Sequence, residues 1–473
     1  MKMRSFINKK VAKNVGFFRF RKINNTYFLS NDFGLYIFLT PDQFDKFIQG
    51  KINAKSNVYT ELIEKGFTNK APAYKEKELI EIYEMKNKYL FNSGPSLHIV
   101  VMTSRCNYNC IYCHAGSKNT SLKDLDMKKE TAKKIVDFIF KTPSPHLTIE
   151  FQGGEPLINW PVVKFIIEYA RKKAQEEQKI LRLALVSNLS LMTDQKLDFL
   201  LKNKVDICTS LDGPEKIHNK NRPCHNKNSY KETTKWIGKI TKKSAKIGAL
   251  ITVTKFTFQD LRGVVDEYVR QGFTSMHFRY LNYLGTAKKS QNKIGYSADE
   301  FIDAWKKIMD YIILINKEGK CFWERESQII LKKILTYQKV DYVDLRSPCG
   351  AVLGQMLYNY DGKIYTCDEG RMLKDDTFLI GDVNTNNYES IIAGGKTKTM
   401  LVASCLENLS CDFCAYKPYC GVCPVKHYAY YGNLFPYMQS TDFCKIKMAQ
   451  FEYLFEKIQD EEIKKIFIRW TVS

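Results

Sequence analysis

No run in this 473-residue sequence approaches the roughly 18 consecutive apolar residues of a membrane span. The N-terminus, Met1 to Lys10, is basic but has no apolar stretch behind it. The first absence excludes a helical membrane protein and the second a secretion signal, so a cytoplasmic protein without a membrane partner is expected. Internal repeats and low-complexity tracts are missing too, and nothing of that kind competes with a globular reading. A net charge of +22 could draw nucleic acid, a membrane surface or an acidic partner. However, the sequence has no compact basic run interleaved with aromatics, and its lysines are spread among Glu, Asn and Ile. That distribution reads as a solvated surface, with no nucleic acid as partner.

What is present fits a folded chain: 44% hydrophobic and 26% charged residues, with length for roughly three domains at about 150 residues each. Fourteen cysteines without a secretion signal point to metal ligation and away from a disulfide framework. Three of them, Cys106, Cys110 and Cys113, stand at CxxxCxxC spacing directly after the apolar run Leu97 to Met102. Thiols so placed can all reach one iron-sulfur cluster, and with no fourth cysteine nearby one iron stays open. A zinc site would need four ligands at other spacings.

The rest of the chain divides by pattern. Residues 1–70 hold β-like runs at Thr26–Ser30 and Gly34–Leu39, then helical patterns from Thr40-Pro41 and from Tyr59 to Lys65. This is the outline of a small winged-helix-like module. It reads either as a docking site where a peptide adds a strand to a sheet edge or as a structural cap. Residues 71–95 form a charged helical linker. Across 96–320, apolar runs starting at Leu97, Leu147, Leu181, Val205, Ile247 and Met276 alternate with helical stretches. Six such β-α repeats predict a parallel sheet covered by helices and curved into a partial or full barrel, with chemistry at the C-terminal strand ends. Bridging helices occupy 321–348. Beyond them, 349–473 has an Asp361-Gly362 hairpin turn, short strands and clustered cysteines, a segment that metal clusters would hold together.

Cys106, Cys110 and Cys113, with Tyr112 before the last, resemble the signature of the radical S-adenosylmethionine enzymes. That resemblance implies a 4Fe-4S cluster whose open iron is chelated by S-adenosylmethionine, and a partial (β/α)6 radical SAM barrel in an α/β fold. Gly153-Gly154-Glu155-Pro156 resembles the family's GGEP motif, its glycines allowing close backbone approach to a ligand and its carboxylate suited to an ammonium group. Ser187 and Asn188 match the polar pair near the ribose, and Ser210 and Arg222 the residues that bind the methionine carboxylate. Each of these four is also compatible with ordinary turn and cap chemistry.

The later cysteines resemble the twin-cluster SPASM domain. The resemblance implies one auxiliary 4Fe-4S cluster on Cys411, Cys414, Cys420 and Cys444, and a second on Cys349, Cys367 and Cys423, three clusters in all. No cysteine shortly after Cys349 completes the second, which points to an open iron or a non-cysteine ligand. Cys321 and Cys405 are available, although they, like Cys208 and Cys224, read as small apolar residues. The stretch from Phe17 to Phe67 looks more narrowly like the maturases of the His-Xaa-Ser peptide system.

The resemblance implies a cytoplasmic oxidoreductase that abstracts hydrogen from a ribosomally made precursor peptide and closes an intramolecular crosslink. The N-terminal module would hold the leader, and a flavodoxin or ferredoxin would supply electrons. Asp368 and Glu369, beside Cys367, are candidates to take the proton of the crosslink-forming group, against the plainer reading of a solvated turn. Alternatives are oxidation of Cys or Ser to formylglycine, as in anaerobic sulfatase maturases, and a non-catalytic iron-sulfur electron-transfer scaffold.

Overall fold

The computed structural model describes residues 11–69, 73–88, 94–225, 228–338, 340, 342–373 and 375–472. The first strands, β1 (Arg19–Ile23), β2 (Thr26–Ser30) and β3 (Tyr36–Leu39), form an antiparallel sheet in the order β1-β2-β3. Five parallel strands follow: β4 (Leu97–Val101), β5 (His146–Gln152), β6 (Ile180–Val186), β7 (Val205–Ser210) and β8 (Ile247–Leu250). The expected starts at Leu97, Val205 and Ile247 coincide with these strands, and two others begin one residue earlier. Helices Lys129–Ile139, Trp160–Glu176, Asp194–Lys202, Ser229–Lys242 and Leu261–Arg270 alternate with them.

The sixth repeat differs in form. Among the described residues its strand, β9 (Ser275–Met276), pairs only with β10 (Trp323–Glu324), in a separate two-stranded sheet. Side chains take the amides that a neighbouring strand would otherwise bind: Phe278 N–H donates to Glu324 Oε1 at 3.1 Å and Leu281 N–H to the Tyr296 hydroxyl at 2.9 Å.

The strands are also less continuously apolar than a fully packed barrel requires. Leu147, Ile149, Phe151, Leu183, Leu185 and Ile207 are buried against the outer helices. Their alternates Glu150, Gln152, Arg182, Cys208 and Ser210 point to the concave side and line a chamber. Successive residues on a strand face opposite ways, so the alternation itself sets aside a polar interior.

The cysteine-rich region joins this sheet directly. Strand β11 (Gln355–Tyr358) pairs parallel with β4, β12 (Lys363–Tyr365) returns through the Asp361-Gly362 turn, and β13 (Leu379–Asp382) follows antiparallel. The eight-stranded order is β13-β12-β11-β4-β5-β6-β7-β8, so the boundary expected at residue 349 does not interrupt the sheet.

The N-terminal sheet packs on the far end of the chain. Phe28 is fully buried with its ring 5.6 Å from Tyr416 and 4.1 Å from Phe455. Ser30 Oγ donates to the Ala415 carbonyl at 2.6 Å, and Arg19 Nε donates to the Asp412 carbonyl. The helix Ala73–Asn87 is fastened by Lys86, whose ammonium donates to the carbonyls of Gly34 at 2.8 Å and Lys333 at 3.2 Å. Burial pushes the Lys86 pKa down to about 8 from 10.5. Between those values the unfolded chain holds the proton more tightly than the folded one, so Lys86 makes stability rise with pH across that window. Lys86→Met is expected to shrink the gain in melting temperature between about pH 8 and 10.5. An unchanged gain would assign it to other groups.

Candidate active site

The cysteine loop leaves the C-terminal end of β4 and is laced to its surroundings through its backbone. Cys106 N–H donates to Lys118 O at 2.9 Å, Asn109 N–H to Pro223 O at 2.9 Å and Ile111 N–H to Asn221 O at 3.1 Å, while Cys113 O accepts from Thr286 N–H at 2.8 Å. The loop is therefore held in shape by the protein itself.

The GGE turn at the end of β5 lies against it. Gly154 N–H donates to Thr103 O and Glu155 N–H to Arg105 O, both at 2.8 Å. Gly153 has φ +147°, and a Cβ there would stand 2.3 Å from Thr103 O; one on Gly154 would stand 2.1 Å from Arg105 O. The two glycines thus permit contact with the cysteine loop, where the sequence suggested close approach to a ligand.

Glu155 is fully buried. Its Oε1 accepts from Ser187 Oγ at 2.8 Å and Leu157 N–H at 3.0 Å, and its Oε2 from Asn188 N–H at 2.8 Å. Burial raises its pKa, with these donors opposing. Its first task here is to tie the ends of β5 and β6 together, which leaves lone pairs on Oε2 for a further donor. Asn188 in turn reaches Cys106 Sγ at 3.9 Å.

Tyr112 carries a buried relay. Arg222 donates to the Tyr112 hydroxyl at 2.5 Å, and that hydroxyl donates to Asp212 Oδ2 at 2.7 Å. Asp212, which nothing in the sequence singled out, also accepts from Thr252 N–H at 3.0 Å. Burial raises the Asp212 carboxyl, with Arg222 pulling the other way. Arg222 stays charged because Cys110, Tyr112 and Asp212 outweigh its own burial.

One cavity of about 890 Å³ gathers most of the expected residues: Cys106, Cys110, Tyr112, Cys113, Gly153, Gly154, Ser187, Asn188, Ser210 and Arg222. Cys349, Cys367, Cys423, Asp368 and Glu369 line the same cavity, so the two cysteine groups face one chamber. Cys349, Cys367 and Cys423 share a buried cluster with Phe378 and Met400. Cys411, Cys420 and Cys444 pack instead around Leu406, Leu409, Val422 and Met438, with Cys414 close enough to raise the thiols of Cys411, Cys420 and Cys444. Cys405 Sγ contacts its own helix at Leu401 O, 3.4 Å away, and Cys321 is exposed, so neither stands with the Cys349 group.

A residue that sequence reasoning missed connects the two cysteine loops. His114, next to Cys113, contacts Asp368 Oδ2 through Nε2 at 2.8 Å, and Arg371 lies 3.5 Å from Asp368 Oδ1. Burial alone would raise Asp368, but His114 and Arg371 hold it at about 2. A carboxyl so held and paired is a poor proton acceptor at neutral pH, which leaves Glu369 as the candidate base. Adjacency to a cysteine was the only signal His114 offered.

The donor set suits iron-sulfur ligation. Burial pushes the thiols of Cys106 and Cys110 up to about 12 and about 11. It also acts on Cys113, but the Ser117 hydroxyl and backbone outweigh it and leave that thiol below its ordinary value. Among the described residues, no three His, Cys, Asp or Glu side chains converge to hold a single metal ion. Thiolates of a cluster several atoms across stand wider than that. Arg222 Nε is buried without a hydrogen-bond partner among the described residues, suited to an incoming carboxylate. No described helix is long and apolar enough to cross a membrane.

Comparison with known proteins gives the same outline. The family described as the Radical SAM superfamily matches residues 100–267. A cysteine-type anaerobic sulfatase-maturating enzyme of Clostridium perfringens is 24% identical over 332 residues, covering 69% of this chain and 87% of that protein. The structure of native anSMEcpe with bound AdoMet and Cp18Cys peptide aligns with TM-score 0.64 at 18% identity, covering 78% of this chain and 99% of that one. Streptococcus suis SuiB bound to precursor peptide SuiA aligns with TM-score 0.53 at 12% identity, covering 89% and 97%. Residues 100–267 therefore form a radical SAM domain, in an α/β fold that this chain shares with these solved structures, and a cysteine-rich C-terminal region follows it.

Proposed function

We propose that this protein is a radical S-adenosylmethionine enzyme that modifies a ribosomally made precursor peptide by intramolecular crosslinking. The observation that carries this reading is the shared chamber. Cysteine groups from both halves of the chain face one cavity of about 890 Å³, near the top of the roughly 300–1,000 Å³ range of ligand sites, which leaves room for a substrate side chain beside the cofactor. Cys106, Cys110 and Cys113 would hold the first 4Fe-4S cluster. Cys411, Cys414, Cys420 and Cys444 would hold an auxiliary one, and Cys349, Cys367 and Cys423 another with an open or non-cysteine position. When bound, the first cluster supplies the electron that cleaves S-adenosylmethionine to the 5'-deoxyadenosyl radical, the species that removes a substrate hydrogen.

The chain's own residues bind and orient. Arg222 offers its unpartnered Nε to the methionine carboxylate, with Ser210 beside it on the chamber wall. Ser187 and Asn188 edge the ribose side, and Glu155 keeps the GGE turn pressed on the cysteine loop. Glu369 stands on the chamber wall to take a proton from the crosslinking group, and the electron left when the bond closes would pass to the auxiliary cluster on Cys349, Cys367 and Cys423. The module over residues 11–69 would bind the leader while capping the C-terminal segment, as the maturases of the His-Xaa-Ser system resemble it there. A flavodoxin or ferredoxin would deliver electrons.

In the test, reconstituted protein is incubated with reductant, S-adenosylmethionine and the short peptide encoded beside its gene, and the products are read by mass spectrometry. Loss of two hydrogens from the core peptide is expected. Formation of 5'-deoxyadenosine with an unchanged peptide mass would sink the crosslinking reading. The sulfatase-maturating relative favours a second reading, oxidation of a peptidyl Cys to formylglycine, which removes the sulfur and so differs in mass. A mere electron carrier would form no 5'-deoxyadenosine under dithionite.

A further inference from the structure

A second cavity, of about 420 Å³, adjoins the chamber; His277, Arg279, Tyr280, Asn282, Tyr342 and Asp344 line both. Its walls are aromatic. Tyr280 stands edge-on to Tyr283, Tyr296 and Phe301 at 6.1, 5.5 and 5.4 Å, and Tyr283 meets Tyr430 at 6.3 Å. Faces and edges of this kind favour a flat ring between them.

The buried charges in its wall are already matched, while Lys288 and Asp442 stand exposed at its rim. Lys447 pairs with Glu326, both side chains more than nine-tenths buried. Asp344 is shared by Arg279 at 3.1 Å and Lys426 at 3.0 Å. What is left without a hydrogen bond among the described residues is neutral: Oε1 of Gln450, 2% exposed, both ring nitrogens of His427, 1% exposed, and Nε2 of His277, 5% exposed, whose ring stands 3.9 Å from Glu326 Oε2. Burial pushes the His277 pKa down to about 3, so the ring is uncharged and Nε2 gives or accepts one hydrogen bond according to tautomer. Buried polar atoms without partners are uncommon and costly, and four of them, on Gln450, His277 and His427, in the wall of one aromatic cavity mark a place for a polar tip.

We infer that this second cavity is a side-chain subsite for an aromatic residue of the substrate whose ring carries an N–H or O–H donor: a phenol, indole or imidazole. This rests on the peptide-modifying reading above. A peptide whose reacting residue sits in the larger chamber would place a nearby residue's ring past Tyr280 and Tyr342, with its donor on Gln450 Oε1 and its face among the tyrosines. A charged tip would find no free counter-charge among the buried side chains, and a purely apolar ring would leave Gln450 unmet.

The probe is p-cresol, compared with p-xylene, titrated calorimetrically into the cluster-loaded protein. p-Cresol should bind one per chain about tenfold more tightly than p-xylene, because a site built to accept a donor rejects the analogue without one. It should also compete with the precursor peptide. Gln450→Leu should erase the preference for p-cresol. Equal binding of the two probes by the unsubstituted protein would overturn the inference, as would a folded Gln450→Leu protein that keeps the preference. Formation of 5'-deoxyadenosine in the same preparations tests the enzymatic reading separately. It can persist while the probe preference fails, so the two failures are distinguishable.

Discussion

Gly154→Ala is expected to abolish S-adenosylmethionine cleavage and to strip iron from the cysteine loop. The added Cβ would stand 2.1 Å from Arg105 O, 2.5 Å from Arg105 C and 3.0 Å from Ser104 O, all backbone atoms that no rotamer change can move. The hydrogen bonds from Gly154 and Glu155 to Thr103 and Arg105 pin the turn to the loop from the other side, so relief requires displacing the peptide that leads into Cys106. Overpacking of this kind costs about 1–3 kcal/mol, and here the displaced atoms are those that set the three thiols. Iron analysis after reconstitution should show a deficit of one cluster, with a lowered melting temperature. Gly238→Ala is the control: its Cβ meets nothing within 4 Å, and a helical Gly-to-Ala change gains about 0.5–1 kcal/mol. Full iron loading in Gly154→Ala would show that the turn does not shape the loop.

Arg222→Met should be nearly as damaging, for an electrostatic reason. It removes the positive charge next to the fully buried Asp212 and the donor to Tyr112, and orphaning a buried charge costs about 3–5 kcal/mol. In the intact protein burial already raises the Asp212 carboxyl against the pull of Arg222. Without Arg222 it rises further, so the folded state binds a proton that the unfolded state releases. Stability of the variant should therefore improve as pH falls below neutral, where the protonated carboxyl carries no orphaned charge. Adding Asp212→Asn should recover part of the loss at pH 7, with a coupling of about 0.5–3 kcal/mol, while S-adenosylmethionine binding stays absent. A pH-independent loss, or strict additivity, would show that Arg222 does not act through Asp212.

The repeating strands and helices of 97–270 were legible because each carries its own period, cap and length, and the capped helix Pro41–Ile48 was legible from Thr40-Pro41 for the same reason. Strand β1 was missed because three bases in five residues, Arg19, Arg21 and Lys22, read as solvent-facing, whereas Arg19 is buried against Asp412 and Arg21 pairs with Glu452. The Asp361-Gly362 hairpin was visible locally, yet nothing in residues 355–358 announces that they pair with 97–100. The site divides in the same way. Cysteine spacing names which thiols belong to one loop, but only the folded chain shows two loops facing one chamber, His114 reaching Asp368, and Gly153 and Gly154 pressed on backbone. Contacts between distant segments leave no period in either one.

The pairing of β11 with β4 bears on the order of events during synthesis. Strand β4 is made early, and one of its edges stays without a partner until residues 355–358 have left the ribosome. The Asp412 and Ala415 carbonyls that Arg19 and Ser30 grip arrive later still. The nascent chain therefore carries open strand edges, which are prone to wrong pairing, for most of its translation. Slow translation before residue 355, or a shortage of chaperones, should reduce the yield of this protein.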